Sequence, residues 1–434
     1  MEPVNVGIIG LGHVGSGTMQ ILWQNGEQIT QKLGFPLGLR AICSRNLDNK
    51  PIPAGMARLL RTTDWREVVA HPEIDIVCEL IGGATVAREV IEAAIAHGKS
   101  VVTANKELLA QHGPALWRQA AEANVNLAME ASVAGGIPIH TVLREGIAGD
   151  QIVSLFGILN GTSNFILTEI ENKGASFGEV LAEAQRLGYA EADPSADVDG
   201  WDARSKLAIL AALAFGRSVE PAAIPVEGIR RITPLDFQYA HQLGYTIKLL
   251  CSARRQGEGL DLSVRPALLA RRAILASVAG AYNGIWVRGE YGQDTFYYGR
   301  GAGPLPTGVA VVSDLMRVAR EIRAGSHQRV SPFAHAALAP ASAPVPSNQR
   351  RPYYLRFRVR DRPGIIAALA GALAAQDLSL DAVLQLPCET KDDLPFVITI
   401  EPTEEERLQS AVRQMAAFEF LAEPPLALPM ERDV

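Results

Sequence analysis

One lysine and several carboxylates in one short stretch are the residues of this chain best suited to carry chemistry. The stretch GYAEADPSADVDGWDARSK (188–206) ends on Lys206. Its carboxylates are Glu191, Asp193, Asp197, Asp199 and Asp202. A lysine whose pKa is lowered by desolvation can give a proton to the alkoxide that hydride transfer to a carbonyl creates. Carboxylates nearby can hold the ammonium group of an amino-acid substrate. We therefore expect Lys206 to supply the proton, and Glu191 with Asp202 to bind the substrate cation.

The spacing of Asp202 and Lys206 also fits a simpler interpretation. Four residues apart on a helix, the two side chains lie on one face. An exposed pair of this kind is a surface ion pair worth only about 0.3–0.5 kcal/mol. The apolar run LAILAALAF follows directly, so we expect the first turn of this helix at the edge of a core. The other acids of the stretch are expected to be solvated loop residues without individual chemistry.

A second lysine and a polar segment are further candidates. Lys106 stands in VVTANKELLA, just after a predicted strand, where the sites of open α/β sheets form. The alternative is a surface lysine at the start of a helix. Asn160, Thr162, Ser163 and Asn164 interrupt the apolar run GILNGTSNFIL (157–167). They either anchor a substrate or cap a helix at Thr162 or Ser163.

A glycine-rich turn near the N-terminus predicts a dinucleotide site. GLGHVG matches the pattern G-x-G-x-x-G, follows a predicted strand and opens a predicted helix. Gly10 permits the tight turn, Gly12 lets a pyrophosphate approach the backbone, and Gly15 allows close packing of helix and strand. The helix N-terminus then faces the phosphates. The cofactor-binding residues predicted here are Gly10, Leu11, Gly12, His13, Val14 and Gly15. The alternative is that the glycines serve only a tight turn.

The end of the second predicted strand bears on which dinucleotide binds. An NAD site usually places an acidic residue there for the ribose 2′-hydroxyl. The strand ends in AICSRN, with no acid before Asp48 and with Arg40 and Arg45 nearby. Cations suit a 2′-phosphate, so NADP is favoured over NAD. The alternative is that both arginines are solvated surface charges.

Composition excludes several classes of protein. The net charge is −6, which argues against a nucleic-acid binder with its basic stripe. The N-terminus has no signal-peptide pattern, and no apolar run approaches the roughly 20 residues that cross a bilayer. The four cysteines form no CxxC pair, and the eight histidines show no metal-ligand spacing. We expect a cytoplasmic protein with reduced thiols, bound neither to nucleic acid nor to a membrane.

The order of predicted elements indicates several domains. Strands and helices alternate through the first third, as in βαβ units with a parallel sheet. From about residue 131 the pattern changes to strands of a different sheet, followed by a helix over 307–322. The composition of the next segment, which is rich in Ala, Pro and Ser, predicts a linker. The tail follows the order β-α-β-β-α-β of a ferredoxin-like sandwich.

Together these motifs resemble homoserine dehydrogenases of the long form, which end in an ACT domain. The matching stretches are GLGHVG, VVTANKELLA, EASVAGGIPI, GILNGTSNFIL, GYAEADPSADVDGWDARSKLAIL and YGRGAGPLPTGVAVVSDL. The resemblance implies an α/β Rossmann-type nucleotide domain, an α+β substrate-binding and dimerisation domain, and a ferredoxin-like ACT domain. The expected limits are 1–130 (completed by helix 305–322), 131–304, a linker at 323–350, and 351–427.

The resemblance also implies an activity and roles for its residues. Such enzymes reduce L-aspartate 4-semialdehyde reversibly to L-homoserine with NAD(P)H, on the pathway to threonine and methionine. Lys206 matches the proton-donating lysine, and Lys106 a lysine at the junction of cofactor and substrate. Glu191 and Asp202 match substrate ligands. Gly188 and Gly303 fall where the family touches its cofactor.

Accessory sites follow from the same resemblance. A sodium ion is implied, bound by Glu130 and the carbonyl groups of Val133, Gly135 and Ile137. The ACT domain implies threonine as an effector near the turn 361–364, and ACT modules pair, so a homodimer or homotetramer is expected. Small departures from the family, such as Ala190 and Ala192 in place of Thr and Pro, remove none of these groups.

Two other hypotheses compete with this one. The first is a different oxidoreductase with the same fold, such as another semialdehyde or amino-acid dehydrogenase. A phosphorylating semialdehyde dehydrogenase would need a cysteine nucleophile. None of the cysteines (Cys43, Cys78, Cys251 and Cys388) stands in a turn suited to that role. A non-catalytic amino-acid sensor would need neither the glycine pattern nor the two lysines.

Overall fold

The computed structural model describes residues 2–47, 50, 52–53, 59–327, 330–387 and 391–434. Asp48 and Cys388, which entered the sequence argument, lie outside the described residues. The chain forms two compact units. Unit 1 comprises Met1–Leu155, Asp202–Ile224 and Val287–Ala343; unit 2 comprises Phe156–Trp201, Pro225–Trp286 and Pro344–Val434.

Strands and helices alternate through the first part of the chain, as the sequence predicts. The strands are β1 (Val4–Ile9), β2 (Leu37–Cys43), β3 (Leu60–Thr62), β4 (Ile76–Glu79), β5 (Ser100–Thr103), β6 (Leu127–Ala128), β7 (Ile152–Ile158), β8 (Arg217–Val219), β9 (Tyr245–Gln256), β10 (Gly259–Ala270), β11 (Tyr282–Gly289), β12 (Asp294–Arg300), β13 (Ala339–Ser342), β14 (Arg351–Val359), β15 (Leu380–Leu384), β16 (Leu394–Thr403) and β17 (Leu426–Glu431). The helices are α1 (His13–Gln24), α2 (Gly26–Leu33), α3 (Trp65–Ala70), α4 (Thr85–Ala96), α5 (Lys106–Glu122), α6 (Ile139–Thr141), α7 (Gly161–Lys173), α8 (Phe177–Arg186), α9 (Ser195–Val198), α10 (Trp201–Phe215), α11 (Pro234–Gln242), α12 (Pro304–Arg323), α13 (Ile365–Ala374) and α14 (Glu405–Met415). None of the described helices has the length and apolar character needed to span a membrane.

Unit 1 is organised around a six-stranded sheet of order β3-β2-β1-β4-β5-β6. Every neighbouring pair in it is parallel. Apolar residues of the strands pack into two clusters, one that includes residues of α1 and α12 and one that includes residues of α3, α4 and α5. A parallel sheet covered on both faces needs strands that are mostly apolar, and the run VNVGII of β1 is buried at every residue with Asn5 as its one polar side chain. This strand order is that of the Rossmann fold, and the predicted fold class is confirmed.

Close packing of α1 against α12 depends on glycine. A Cβ atom at Gly17 would lie 2.1 Å from the carbonyl oxygen of Pro304, and one at Gly308 would lie 3.0 Å from the backbone nitrogen of Thr18. The helix predicted at 305–322 corresponds to α12. It packs within unit 1 against α1, the helix that follows the glycine-rich turn.

Unit 2 contains a mixed sheet and the helices that pack on it. Six strands lie wholly inside the unit and are neighbours in the order β9-β10-β17-β14-β16-β15. The long strands β9 and β10 pair antiparallel over their whole length. β17 joins them by pairing parallel with β10 at Leu268 and Leu269.

The C-terminal part of unit 2 has the predicted ferredoxin-like arrangement. β14 pairs antiparallel with both β16 and β17, and β15 pairs antiparallel with β16. Apolar residues from these strands and from α13 and α14 form one core, which includes Phe357, Leu369, Phe396 and Leu408. The order β14-α13-β15-β16-α14-β17 is that of an ACT domain, as expected.

The segment 323–350, predicted as a linker from its composition, contains ordered structure. Its strand β13 pairs parallel with β8 in unit 1. Phe333 is only 1% exposed and packs edge-on against Trp117, with ring centroids 6.0 Å apart. From Pro344 the chain belongs to unit 2. The domain limits given above stay predictions.

Candidate active site

The glycine-rich turn between β1 and α1, from Gly10 to Gly15, has a shape that suits a phosphate group. We call this turn the glycine cradle. Gly10 adopts φ +102°, a left-handed conformation that favours glycine. A Cβ atom at Gly15 would lie 1.9 Å from the Gly10 carbonyl oxygen, so the third glycine is sterically required. A Cβ atom at Gly12 would meet nothing within 4 Å, and Gly12 precedes α1 without a side-chain cap. The first turn of α1 therefore begins at an open backbone position with no side-chain cap, which fits a bound pyrophosphate.

The remaining residues of this turn differ in exposure. Leu11 is buried, Val14 is half-buried and His13 is exposed. Gly303 adopts φ +123° directly before α12, which also starts without a side-chain cap. Since Pro304 contacts Gly17, Gly303 lies beside α1 in the same unit.

Arg45 and Arg40 have separate surroundings. Arg45 is exposed and follows the carboxyl end of β2, beside the strand that leads into the glycine turn. Arg40 instead donates from Nε to Asn5 Oδ1 at 3.2 Å and pairs with Glu73 at 3.5 Å. Asn5 lies near the start of β1, away from the glycine turn, so Arg45 alone of the two stands at the cofactor edge.

Lys106, Asp202 and Lys206 meet in unit 1, and we call these three residues the lysine bridge. Lys106 Nζ lies 2.8 Å from Asp202 Oδ1, and Lys206 Nζ lies 2.7 Å from Asp202 Oδ2. The side chains of Asp202 and Lys206 are 7% and 10% exposed, whereas that of Lys106 is 44% exposed. The pair on α10 is therefore no ordinary surface ion pair, because a second lysine from α5 shares its carboxylate.

The electrostatics of the lysine bridge favour an ionised Asp202. Burial acts to raise the pKa of Asp202, but the charges of Lys206 and Lys106 and their hydrogen bonds outweigh it, so the pKa lies well below its usual range. Two cationic groups around one carboxylate leave an excess of positive charge. Such a site suits an oxygen atom that gains negative charge during a reaction.

The elements that carry the two lysines are firmly placed. α10 is buried at every residue from Leu207 to Phe215, which fixes the turn bearing Lys206. α5 begins at Lys106 and is capped by Asn105, whose Oδ1 accepts from Leu108 N at 3.1 Å. Sequence reasoning missed Asn105. The segment TAN before KELL offered a signal, because Asn is among the preferred N-cap residues.

Unit 2 holds the predicted residues Gly188 and Glu191. Gly188 follows α8 with φ +77°. The side chain of Glu191 is exposed, and its backbone oxygen accepts from Gln185 Nε2 at 3.0 Å. Asp193 accepts from Ser195 N at 3.1 Å and so orders the start of α9.

Asn160 caps α7, and it joins Thr162 and Ser163 in anchoring the acidic loop. Asn160 Oδ1 accepts from Ser163 N at 2.8 Å, and Asn160 Nδ2 donates to Asp197 Oδ1 at 2.6 Å. Ser163 Oγ donates to the Asp197 carbonyl group, and Thr162 Oγ1 donates to the Tyr189 carbonyl group, both at 2.7 Å. The helix is capped, but by Asn160 and not by the predicted Thr162 or Ser163, whose hydroxyl groups bind loop carbonyl groups instead. The substrate-anchoring interpretation stays a prediction.

The segment predicted to hold sodium is buried in unit 1. Glu130 is 4% exposed; its Oε1 accepts from His140 N at 2.9 Å, and its Oε2 accepts from Thr141 N at 2.9 Å. Val133, Gly135 and Ile137 are buried in the following loop, and the Ile137 carbonyl group accepts from Ile139 N at 2.8 Å. Among the described residues, no three side chains of His, Cys, Asp or Glu are grouped to bind a metal ion. One carboxylate with backbone carbonyl groups is a different donor set, and its hard oxygen atoms suit a hard cation.

The cysteines of the described chain do not suit a nucleophile. Cys43, Cys78 and Cys251 are buried free thiols. Burial, with the nearby charge of Asp64, raises the pKa of Cys43 to about 11. Burial likewise raises the pKa of Cys78 well above its usual value. A phosphorylating dehydrogenase needs a reactive thiolate, so these three residues speak against that alternative.

A Rossmann-type domain with a glycine cradle, and two lysines on one carboxylate in the same unit, define an NAD(P)-dependent oxidoreductase. Family models described as "Homoserine dehydrogenase, NAD binding domain", "Homoserine dehydrogenase" and "ACT domain" match residues 10–130, 138–316 and 353–420. The chain belongs to the homoserine dehydrogenase family, whose members act in amino-acid biosynthesis.

Two relatives match the chain over its whole length, and a third matches most of it. A homoserine dehydrogenase of Pseudomonas aeruginosa is 41% identical over 435 residues, which is 100% of this chain and 100% of that protein. The crystal structure of a homoserine dehydrogenase from Thiobacillus denitrificans superposes with a TM-score of 0.91 at 43% identity, over 100% of this chain and 99% of the other. A hyperthermophilic archaeal homoserine dehydrogenase mutant in complex with NADPH has a TM-score of 0.63 at 26% identity, over 73% of this chain and 98% of the other.

Proposed function

We propose that the chain catalyses the reversible reduction of L-aspartate 4-semialdehyde to L-homoserine, on the route to threonine and methionine. The observation that carries the proposal is the lysine bridge, in which one buried carboxylate holds two ammonium groups in the unit that also contains the glycine cradle. A reduced nicotinamide cofactor supplies the hydride when it is bound. The residues of the chain supply binding, orientation and one proton.

Lys206 is the proposed proton donor. Its side chain is largely buried, and Asp202 fixes its Nζ atom at 2.7 Å. The aldehyde oxygen gains negative charge during reduction, and Lys206 Nζ donates a proton to it. In the reverse direction the same nitrogen accepts the proton of the homoserine hydroxyl group. Lys106 adds a second positive charge, which stabilises the developing alkoxide at the junction of substrate and cofactor.

Glu191 and Asp202 are the proposed ligands of the substrate ammonium group. Asp202 lies between the two lysines and carries the negative charge that suits a substrate ammonium group. Glu191, which is exposed in unit 2, is proposed for the same substrate group from family membership alone. This division leaves the lysines for the aldehyde end and the carboxylates for the amino end.

The test is an absorbance assay with NADPH and aspartate semialdehyde. Lys206→Ala should lower kcat by about 10³-fold and leave the Kd for NADPH unchanged, because general acid catalysis commonly contributes 10²–10⁴-fold. Lys173→Ala is the matched control, since Lys173 also pairs with a carboxylate four residues away but is 57% exposed. Full activity of Lys206→Ala would refute the proton donor. Absence of turnover by the unaltered protein with bound cofactor would refute the activity.

NADP is the proposed cofactor, with NAD as a possible substitute. The proposed ligands are the glycine cradle from Gly10 to Gly15 and the residues Arg45, Lys106, Gly188 and Gly303. The NADPH complex of the archaeal relative and the exposed position of Arg45 beyond β2 support NADP. Arg45→Ala should raise KM for NADPH several-fold and leave KM for NADH unchanged. Equal changes in both constants would contradict a contact with the 2′-phosphate.

The regulatory, ionic and assembly proposals rest on family membership. Threonine is the proposed effector of the ACT domain, near Gly364, which has φ +92° and precedes α13 without a side-chain cap. Sodium is the proposed ligand of Glu130 and the carbonyl groups of Val133, Gly135 and Ile137. Initial rates with and without threonine, and with sodium replaced by a bulky cation, test these two proposals. A homodimer or homotetramer and a cytoplasmic location stay predictions, and light scattering tests the first.

A further inference from the structure

We infer that Glu79 is a positioning residue of this reaction, which holds the start of α5, and with it Lys106, through Thr103 and Asn105. The inference rests on the proposed function of Lys106. It extends the site beyond the residues that touch substrate or cofactor.

Glu79 lies where it can order the carboxyl edge of the sheet. It is the last residue of β4, it is 0% exposed, and it stands in register with Thr103, the last residue of β5. In a parallel pair such neighbours point to the same side. Glu79 Oε2 accepts from Thr103 Oγ1 at 2.7 Å, and Glu79 Oε1 accepts from Ile81 N at 2.8 Å.

The contact with Thr103 is passed on to the start of α5. A hydroxyl group has one proton, so Thr103 Oγ1, which donates to the carboxylate, must use a lone pair for its other neighbour. It accepts from Asn105 N at 3.1 Å. Asn105 in turn donates from Nδ2 to the Gly83 carbonyl group at 2.6 Å and caps α5 at Leu108.

The next residue along the chain is the first lysine of the lysine bridge. Lys106 is the first residue of α5, directly after Asn105, and its Nζ lies 2.8 Å from Asp202 Oδ1. A shift of the Asn105 turn therefore moves the backbone from which Lys106 reaches the carboxylate. The sequence of contacts runs from Glu79 to Asp202 inside unit 1.

A carboxyl group at this position needs a reason, because burial without a cation is costly. Burial raises the pKa of Glu79, although its hydrogen bonds with Thr103 and Ile81 act against the rise. Within the described parts of the chain, no lysine, arginine or histidine forms an ion pair with Glu79. An apolar residue would pack here at lower cost, but it could not direct the Thr103 hydroxyl group or hold Ile81 N.

The alternative is a purely structural clamp between the ends of β4 and β5. Glu79 also orders the turn that contains Gly82 and Gly83, with φ +84° and +71°. A clamp of this kind would affect stability alone. A positioning residue would affect catalysis in a way that depends on Lys106, and the two roles are therefore separable.

The test combines Glu79→Gln with Lys106→Ala in a double-mutant cycle on kcat/KM. Ile81 N and Thr103 Oγ1 donate to different oxygens of Glu79, and an amide replaces one of these oxygens with an NH2 group, which cannot accept. Glu79→Gln should lower kcat/KM about 10-fold, chiefly through kcat, because small misplacements of catalytic groups are costly. In the Lys106→Ala background the same change should lower kcat/KM less than 2-fold. Thr103→Val should reproduce both results, and it serves if Glu79→Gln does not fold.

Val77→Ala is the matched control for a loss of packing. Val77 is 0% exposed and lies two residues earlier on the same face of β4. It should lower the melting midpoint and leave kcat/KM within 2-fold. Equal losses from Glu79→Gln in both backgrounds, or unchanged kcat/KM in Glu79→Gln and Thr103→Val, would overturn the inference. Normal activity of Lys106→Ala alone would instead refute the proposed function of Lys106.

Discussion

Asp202 in unit 1 and Asp236 in unit 2 are both buried carboxylates, but their partners differ in kind. Asp202 holds two lysines, of which Lys106 is 44% exposed. Asp236, in the first turn of α11, is 0% exposed and binds the guanidinium group of Arg356 from β14, which is 3% exposed. It also accepts from Tyr354 Oη and from Thr233 N, both at 2.8 Å.

The difference shows how one residue type serves chemistry or assembly. Arginine presents a rigid planar fork, and a carboxylate enclosed by it and by backbone and hydroxyl donors has no lone pair left for a ligand. Asp236 thereby fixes the first ACT strand to α11. Lysine carries its charge on a flexible stem, and Asp202 lies beside one lysine whose side chain is 44% exposed. We therefore expect substitutions at Asp202 to act on turnover and substitutions at Asp236 to act on stability.

The largest effect is expected for Asp202→Asn. The amide keeps the shape of the side chain but loses the charge that holds both ammonium groups, so kcat/KM should fall by about 10³-fold. Steady-state rates with NADPH measure the fall, and the Kd for NADPH should change little. A loss of less than 5-fold would contradict the role of the carboxylate in the lysine bridge.

Asp236→Asn should have the opposite profile. It leaves the Arg356 guanidinium group buried without a full counter-charge, which should cost about 3 kcal/mol of local stability. Hydrogen exchange of β14 and α11 measures this loss, because exchange reports regional opening. Rates without effector should stay within 2-fold of the unaltered protein. A large fall in kcat with unchanged exchange would reverse the comparison between the two aspartates.

Some features of the candidate site and of the fold can be predicted from local sequence, and others cannot. The glycine cradle and the pair of Asp202 and Lys206 depend on neighbours a few residues apart, so pattern and helical period suffice to predict them. The ACT arrangement also follows from the order of its elements. The contact of Lys106 with Asp202 joins α5 to α10, and strand register and helix packing decide it.

Other features escaped prediction for related physical reasons. In the sequence, Glu79 is a single acid inside the apolar run IVCELIG, and only strand register brings the Thr103 hydroxyl group to it. Arg40 and Arg45 are both arginines near the end of the second predicted strand, and the sequence does not distinguish them. Arg40 lies within β2, and its side chain binds Asn5 near the start of the neighbouring strand. The composition of 323–350 does not reveal β13, because pairing with β8 orders a segment that has weak propensity of its own.

At low pH, the free energy of unfolding should depend on Asp202 more strongly than on an ordinary exposed aspartate. The pKa of Asp202 is lowered in the folded state, since the lysine charges outweigh burial. A lowered pKa gives a contribution that is complete above the unfolded value, near 3.9, and is lost as pH falls toward the folded value. The stability difference between the unaltered protein and Asp202→Asn should be constant from about pH 5 to 8 and shrink below about pH 4. Thermal unfolding across this range checks it, and a difference that grows on acidification would contradict the ionised bridge.

The smallest effect is expected where the same spacing lies on the surface. Lys173 and Glu169 are also four residues apart on one helix, but Lys173 is 57% exposed and its carboxylate has no buried second lysine among its described ion pairs. Solvent and salt screen such a pair, and holding two long side chains costs entropy. Lys173→Ala should therefore leave kcat/KM unchanged, with a shift of the melting midpoint that is barely measurable and vanishes in high salt. A loss of activity comparable to that of Lys206→Ala would mean that helical spacing, and not burial beside a shared carboxylate, distinguishes the lysine bridge.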